Sequence, residues 1–362
     1  MKILGVVGAR PNFMKIAPIF RALEHNPKKF KTLLVHTGQH YDDKMSKIFF
    51  QDLRLPPPEI NLGVGSGTHA EQTGKIMMKL EKVMLKEEPD LIMVVGDVNS
   101  TLAAAVTASK IHIPIAHVEA GLRSFDRRMP EEINRVVTDA LSCYLFTPSR
   151  DANDNLHREG IPEERIHFVG NVMIDTLRLC LNLARNSTIF KELGIERNQY
   201  ALLTLHRPSN VDSPQVLEEI MVAFGEVQKA IPIIFPIHPR TENRIQEFGF
   251  SRRIEEMNGL RIIPPLGYLD FLALETNAKL VLTDSGGIQE ETTVLSIPCL
   301  TLRESTERPI TIEQGTNQIV GHSKDKIVEN SLAILGGEVK KGKIPELWDG
   351  KAAERIVKVL VK

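Results

Sequence analysis

The chain has little of what marks a disulfide scaffold, a metal ribbon, a membrane protein or a polyelectrolyte binder. Its 362 residues hold three cysteines, Cys143, Cys180 and Cys299, odd in number, widely spaced and without a C-x-x-C pair. That pattern argues against a disulfide framework or a zinc ribbon and suits a reducing cytoplasm. Net charge is also missing: 45 Lys and Arg against 46 Asp and Glu leave −1, with the cations spread along the sequence apart from short runs such as Lys28, Lys29 and Lys31. Such a distribution gives no broad nucleic-acid footprint. No apolar stretch reaches the roughly 18 residues of a membrane span, and the apolar run behind Met1 and Lys2 stops by Arg10 and Pro11, too soon for a signal-peptide core. The expectation is a soluble cytoplasmic protein without a membrane or nucleic-acid partner.

Three local fingerprints are absent as well. No G-x-G-x-x-G follows a strand, no P-loop occurs and no G-x-S-x-G elbow is present. A nicotinamide-dependent dehydrogenase, an NTPase and a serine hydrolase thereby lose their best signals. His36 and His40 are four apart, but Gly38 and a strand end between them prevent a helical metal pair. No metal and no cofactor is expected.

What is there is an ordinary globular composition, 42% hydrophobic and 25% charged, and a length that suggests two domains at about 150 residues each. Short β-branched and Leu-rich runs at 3–7, 32–37, 91–95, 113–118 and 144–146 alternate with helix-like stretches near 13–25, 68–88, 98–110 and 130–141. The second half repeats the pattern with runs at 201–205, 233–237, 260–263, 280–283 and 299–302. Strand–helix alternation of this kind implies parallel sheets covered by helices, hence an α/β chain of two doubly wound, Rossmann-like domains. We place them at 1–170 and 171–350, with a short helix at 351–362 after Trp348-Asp349-Gly350.

In open α/β sheets ligands bind beyond the carboxyl ends of the strands, which directs attention to the polar residues there. In Thr283-Asp284-Ser285-Gly286-Gly287-Ile288-Gln289-Glu290-Glu291 a strand passes through a glycine turn into a helix. Small residues there let backbone N–H groups and the helix N-terminus approach a phosphate, and Glu291 can accept from two ribose hydroxyls. A plain capped helix is the competing reading. Arg10, Lys15 and Arg308 are candidate cations for a diphosphate, or solvated surface charges. His206 and His238 each follow a strand and serve as site residues or as hydrogen-bonded structural histidines. Asp97, Glu119 and Glu131 offer acid and base groups. Asp97 and Glu131 also suit helix capping and the helix dipole, whereas Glu119, between an apolar strand and Ala120-Gly121, has no obvious capping role.

Taken together, Gly8-Ala9-Arg10-Pro11, Gly96-Asp97, His117-Val118-Glu119-Ala120-Gly121-Leu122-Arg123, Pro130-Glu131-Glu132-Ile133-Asn134-Arg135, the 283–291 string and Thr306-Glu307-Arg308-Pro309 resemble the non-hydrolysing UDP-N-acetylglucosamine 2-epimerase family over nearly the whole chain. The resemblance implies the glycosyltransferase-B fold, with a UDP-sugar in a cleft between the two domains and the C-terminal helix packed back on the first. It implies catalytic roles for Asp97, Glu119 and Glu131, with His206 and Lys15 acting near the diphosphate or sugar. Diphosphate and ribose contacts follow for Arg10, Ser285, Gly286, Gly287, Glu291 and Arg308, and a place against the uracil for Phe271. It further implies a homodimer in glycan supply, no cofactor, and a regulatory UDP-sugar site near Gln39, His40 and His238.

Two strings depart from the family pattern. Asn12 stands where members commonly carry Glu after Arg-Pro, and His206-Arg207-Pro208-Ser209 stands where bacterial members often read H-R-R-E. With Val35-His36-Thr37-Gly38-Gln39-His40, the first also resembles a sister group acting on UDP-2,3-diacetamido-2,3-dideoxyglucuronate, which is the alternative substrate. A UDP-sugar glycosyltransferase of the same fold is the alternative from another class.

Overall fold

The structure, a computed structural model, describes residues 1–39 and 57–361. The chain divides into two compact units, Met1–Leu179 with Glu346–Lys362, and Cys180–Pro345. In the first, β1 (Lys2–Val7), β2 (Lys31–His36), β3 (Ile60–Asn61), β4 (Leu91–Val95), β5 (Ile115–Val118), β6 (Tyr144–Thr147) and β7 (Ile166–Phe168) form one parallel sheet ordered β3-β2-β1-β4-β5-β6-β7. In the second, β8 (Ala201–Thr204), β9 (Ile233–Pro236), β10 (Leu260–Ile263), β11 (Leu280–Thr283), β12 (Cys299–Thr301) and β13 (Asn317–Ile319) form another, ordered β10-β9-β8-β11-β12-β13. Both orders turn back on themselves after the third strand, as in Rossmann-like sheets. The two units are the pair of Rossmann-like folds that makes up the glycosyltransferase-B class.

Each sheet is apolar because helices cover both faces. All five residues of β4 are buried. One face of the first sheet packs Leu4, Val35 and Ile92 against Ile76 and Leu80 of the helix His69–Glu87 and the alanine-rich helix Asn99–Lys110. In the second unit Leu203, Phe235 and Leu282 meet Leu217 and Phe224 of the helix Pro214–Val227. Among the described residues no two cysteines form a disulfide, and no helix is long and apolar enough to cross a membrane.

The division between the units falls at Leu179/Cys180 rather than at Gly170, and the chain rejoins the first unit at Glu346 rather than 351. Side-chain anchors explain both shifts. The first turns of the helix Val172–Ala184 are tied to the first unit, where Thr176 Oγ1 donates to the Met14 carbonyl at 2.6 Å. The buried Trp348 donates from Nε1 to the Pro148 carbonyl at 2.9 Å.

Asp175 accepts from the backbone N–H groups of Ala352 at 3.2 Å and Ala353 at 2.8 Å, and so caps the helix Ala352–Val361. Burial pushes its carboxyl up to about 6, with the two N–H donors opposing. A folded-state value above the unfolded one means that the folded chain binds the extra proton between about pH 4 and 6, so this group's contribution falls as pH rises through that window. Asp175→Ala is expected to cost about 1–2 kcal/mol at pH 7, the usual loss for a helix cap. Asp175→Asn keeps an acceptor and should cost less. Urea unfolding of wild type and the two variants at pH 5 and 7 checks both the order and the pH trend.

Candidate active site

Because the fourth strand of each sheet returns to the other side of the first, the loops that follow β1 and β4, and those that follow β8 and β11, diverge and leave a crevice at the carboxyl ends of those strands. The sequence candidates fall at these points. In the first unit β1 leads through Gly8 and Ala9 into the helix Arg10–Glu24, and β4 leads into Gly96-Asp97. Asn12 closes the first of these turns: its Oδ1 accepts from the Gly8 and Ala9 N–H groups, both at 3.0 Å, and its Nδ2 donates to the Val95 carbonyl at 3.0 Å. A glutamate could not make that last bond, which gives the departure from the family string a structural role.

Lys15, one turn further along the helix, places its ammonium 2.7 Å from Glu119 Oε1, with both side chains buried. Glu119 has φ of 72°, a left-handed conformation that a glutamate rarely adopts, at the turn after β5. Gly96 has φ of 66°, a conformation that favours glycine, and a Cβ there would stand 2.9 Å from Lys15 Nζ, so a side chain at 96 would shift the ammonium. The pair offers a proton acceptor and a proton donor at hydrogen-bond distance.

Asp97 is held by Arg135, whose Nε and Nη2 both donate to Oδ2, at 3.1 and 2.7 Å. Asn134 Nδ2 donates to the Asp97 carbonyl at 2.8 Å. Glu131 lies three and four residues before these two on the helix Pro130–Leu141, hence on the same face, and is half-buried. The adjacent Glu132 is spent on structure, accepting from the Ser124 and Phe125 N–H groups at 2.8 and 3.0 Å and from Arg135 at 2.7 Å. Gln39 Oε1 accepts from Ser100 N and Oγ at 3.1 and 2.7 Å, tying the end of β2 to the helix Asn99–Lys110. His40 and the side chain of Arg10 lie outside the described residues.

The second unit gathers the other candidates. Asp284, fully buried at the end of β11, accepts at Oδ2 from the N–H groups of His206 and Arg207, at 2.9 and 2.8 Å, and stands 3.1 Å from His206 Nδ1. Burial would raise its carboxyl, but the charge and hydrogen bonds of His206 and the backbone donors hold it below the ordinary value. The His206 and His238 rings lie 5.5 Å apart between centroids. His238 Nδ1 accepts from Arg240 N at 3.1 Å and caps the helix Pro239–Glu247, the structural role weighed from sequence.

Ser285 is the N-cap of the helix Gly286–Leu295. Arg308 lies across its start, because a Cβ on Gly286 would sit 2.5 Å from Arg308 Nη1. The guanidinium is fixed by Glu290 and Glu307, both at 2.6 Å, and Arg303 reaches the same Glu307 at 2.7 Å. This arrangement stacks cations beside a helix N-terminus, the elements of an anion site. Glu291 Oε1 accepts from Tyr268 OH at 2.6 Å, and Phe271 is half-buried on the helix Tyr268–Thr276. Gly287 is the second residue of the helix Gly286–Leu295.

Sequence reading missed the side chains that hold these groups in place. His117 is fully buried, with Nδ1 2.6 Å from Asp139 Oδ1 and Nε2 2.8 Å from the Gly96 carbonyl. Asp139 Oδ2 accepts from Gly121 N at 3.0 Å and meets Arg123 at 2.7 Å. Burial works against the Asp139 charge, but His117 and Arg123 keep its carboxyl below the ordinary value. This hub fastens the turn before Asp97 to the turn after Glu119. A polar residue inside an otherwise apolar strand was the only local signal for it. Among the described residues no cluster of three or more His, Cys, Asp or Glu side chains could hold a metal ion.

Comparison with known proteins extends the picture. A family model described as UDP-N-acetylglucosamine 2-epimerase matches residues 21–361. The UDP-N-acetylglucosamine 2-epimerase of Methanocaldococcus jannaschii is 48% identical over 366 residues, covering 99% of each chain. The UDP-2,3-diacetamido-2,3-dideoxy-D-glucuronate 2-epimerase of Pseudomonas aeruginosa is 42% identical over 367 residues, 100% of each. A crystal structure of the Methanocaldococcus jannaschii UDP-GlcNAc 2-epimerase in complex with UDP-GlcNAc and UDP matches with a TM-score of 0.93 at 48% identity, over 100% of this chain and 99% of that one. On this evidence of sequence and fold, the chain belongs to the UDP-N-acetylglucosamine 2-epimerase family, a family of isomerases.

Proposed function

We propose that the chain interconverts UDP-N-acetylglucosamine and UDP-N-acetylmannosamine by inverting C2 of the sugar. The observation that carries this reading is the placement of carboxylates and cations at the strand ends where each sheet reverses: Lys15, Asp97 and Glu119 in the first unit, His206, Gly286 and Arg308 in the second. The first group suits proton transfer and the second suits a diphosphate.

The substrate's chemistry requires both. Its C2 hydrogen is not next to a carbonyl, so direct deprotonation is too slow. Elimination avoids the problem: the C1–O bond breaks, UDP departs with the bonding pair, and a carboxylate takes the C2 proton to leave 2-acetamidoglucal with a C1=C2 double bond. UDP oxygen then re-forms the bond to C1 while a proton is delivered to C2 on the other face. Protonic groups for two faces and cations for the departing diphosphate are what the step needs. We assign the protonic roles to Asp97, Glu119 and Glu131, and place Lys15 and His206 beside the sugar and diphosphate. Arg10, Ser285, Gly286, Gly287 and Arg308 take the diphosphate, Glu291 the ribose and Phe271 the uracil. A homodimer, a cytoplasmic location and a regulatory site near Gln39, His40 and His238 belong to the same reading and rest on the family resemblance.

The 42% identity to the Pseudomonas aeruginosa enzyme keeps its diacetamido-glucuronate sugar as the second substrate to test. Proton NMR of the protein with UDP-N-acetylglucosamine in deuterium oxide decides between them. The expected result is loss of the H2 signal together with a new manno anomeric signal. Exchange with the uronate sugar alone moves the assignment to the second substrate, and exchange with neither removes the epimerase reading.

A further inference from the structure

His117 lies on β5 in the middle of the first sheet, two residues before Glu119, and its ring is fully buried. Its strand neighbours are Val94 on β4 and Leu145 on β6, both apolar and fully buried. A ring with two polar nitrogens is costly there unless both have partners. Nε2 stands 2.8 Å from the Gly96 carbonyl, which can only accept, so this nitrogen carries a hydrogen. Nδ1 stands 2.6 Å from Asp139 Oδ1 on the helix Pro130–Leu141. The other oxygen, Oδ2, accepts from Gly121 N at 3.0 Å and lies 2.7 Å from Arg123 Nη2, and both neighbours favour the carboxylate. His117 therefore donates from both ring nitrogens. Arg123 is itself anchored on Glu159 through Nε and Nη2, at 2.7 and 2.6 Å.

The backbone atoms held at the two ends adjoin the proposed protonic groups. The Gly96 carbonyl lies in the peptide plane that carries the Asp97 nitrogen, so pinning it sets the direction in which the chain enters Asp97. Gly121 N lies in the peptide plane after Ala120, just beyond Glu119. Gly96, Glu119 and Gly121 have φ of 66°, 72° and 80°, left-handed values that the surroundings must hold in place, Glu119 above all. We infer that His117, held by Asp139, is a positioning residue for proton transfer at C2: it fixes the two turns against each other and so sets the separation of Asp97 and Glu119. The inference rests on the reading of these carboxylates as protonic groups. Without the Nε2 donor the buried Gly96 carbonyl loses its side-chain partner, and the turn gains by rotating it towards another donor, which moves Asp97 as well.

The test is the rate of C2 deuterium exchange with UDP-N-acetylglucosamine, per UDP site counted by calorimetry in the same sample, for the full chain and three variants. Counting sites removes any loss that comes from unfolded protein. An asparagine amide stands where Nδ1 does and still donates to Asp139, whereas a glutamine amide reaches as far as Nε2 and still donates to the Gly96 carbonyl. His117→Asn should lower kcat per site by about a hundredfold with KM unchanged, the loss expected when a reacting group is misplaced by about 1 Å. His117→Gln should stay within about tenfold of wild type. A space-filling role for His117 predicts no such difference. Equal rates per site in the two variants, alongside lost exchange in Glu119→Gln, overturn the inference and leave the protonic reading standing. A wild-type rate in Glu119→Gln removes that reading and the inference with it. Should His117→Asn not fold, nitrogen NMR of the wild-type ring replaces it, with the His117 signals assigned by their loss in His117→Gln. Hydrogen on both ring nitrogens supports the inference, and Nε2 without hydrogen overturns it.

Discussion

Glu119→Gln is expected to lower kcat for C2 epimerisation by about a hundredfold to ten-thousandfold, the range that a positioned acid or base contributes. Glutamine keeps the shape of the side chain and an oxygen for the Lys15 ammonium, 2.7 Å away in the native pair, but it can neither take nor return a proton. The fold should survive at reduced stability. A buried ammonium that has lost its counter-charge costs several kcal/mol when nothing replaces the partner, and less when a neutral acceptor remains. The left-handed backbone at residue 119 is equally strained for glutamine, so the substitution leaves that term unchanged. Steady-state kinetics with circular dichroism at the assay temperature separates the two effects. A folded variant within tenfold of wild type would remove Glu119 from the chemistry.

Much of the fold was legible because parallel strands buried on both faces read as short apolar runs. The runs at 91–95 and 280–283 coincide with β4 and β11. Misplacements have local causes. The run at 113–118 begins as a strand only at Ile115, since Pro114 has no N–H for the ladder, although its carbonyl still accepts from Ile92. The first helix starts at Arg10 rather than 13, because Pro11 is tolerated in the first turn. Edge strands β3 and β13, two and three residues long with mixed burial, need one partner only and leave no apolar signature.

The site was legible as positions and illegible as partnerships. A polar residue just past an apolar run marks Asp97, Glu119, His206 and Ser285 without any knowledge of the sheet. Which side chain meets which depends on segments far apart in sequence: Arg135 reaches Asp97 across 38 residues and His117 meets Asp139 across 22. Neighbouring Glu131 and Glu132 look alike after Pro130, and burial alone assigns Glu132 to the Ser124–Phe125 turn. Asp284 stood in the middle of the quoted 283–291 string without a role, because its partners lie in the loop after β8.

Those partners make Asp284 the second position where a large effect is expected. Asp284→Ala should lower the unfolding free energy by about 3–5 kcal/mol, as for a buried pair broken from one side. It strands the N–H groups of His206 and Arg207, takes an acceptor from Asn210 Nδ2 at 3.2 Å and removes the charge facing the His206 ring. Asp284→Asn retains one oxygen for the backbone donors and should cost about 1–3 kcal/mol at pH 7. The pH trend follows from the direction of the shift. His206 and the hydrogen bonds hold the Asp284 carboxyl below its unfolded value against the effect of burial, so its contribution is complete above about pH 4 and is lost as pH falls through the lower folded value. The stability gap between wild type and Asp284→Asn should therefore shrink on acidification, as urea unfolding at successive pH values would reveal. A gap that stays constant or widens below pH 4 would mean that geometry rather than charge is what Asp284 supplies. In that case His206 is positioned by the two backbone bonds alone, and Asp284→Asn should turn over substrate at close to the wild-type rate.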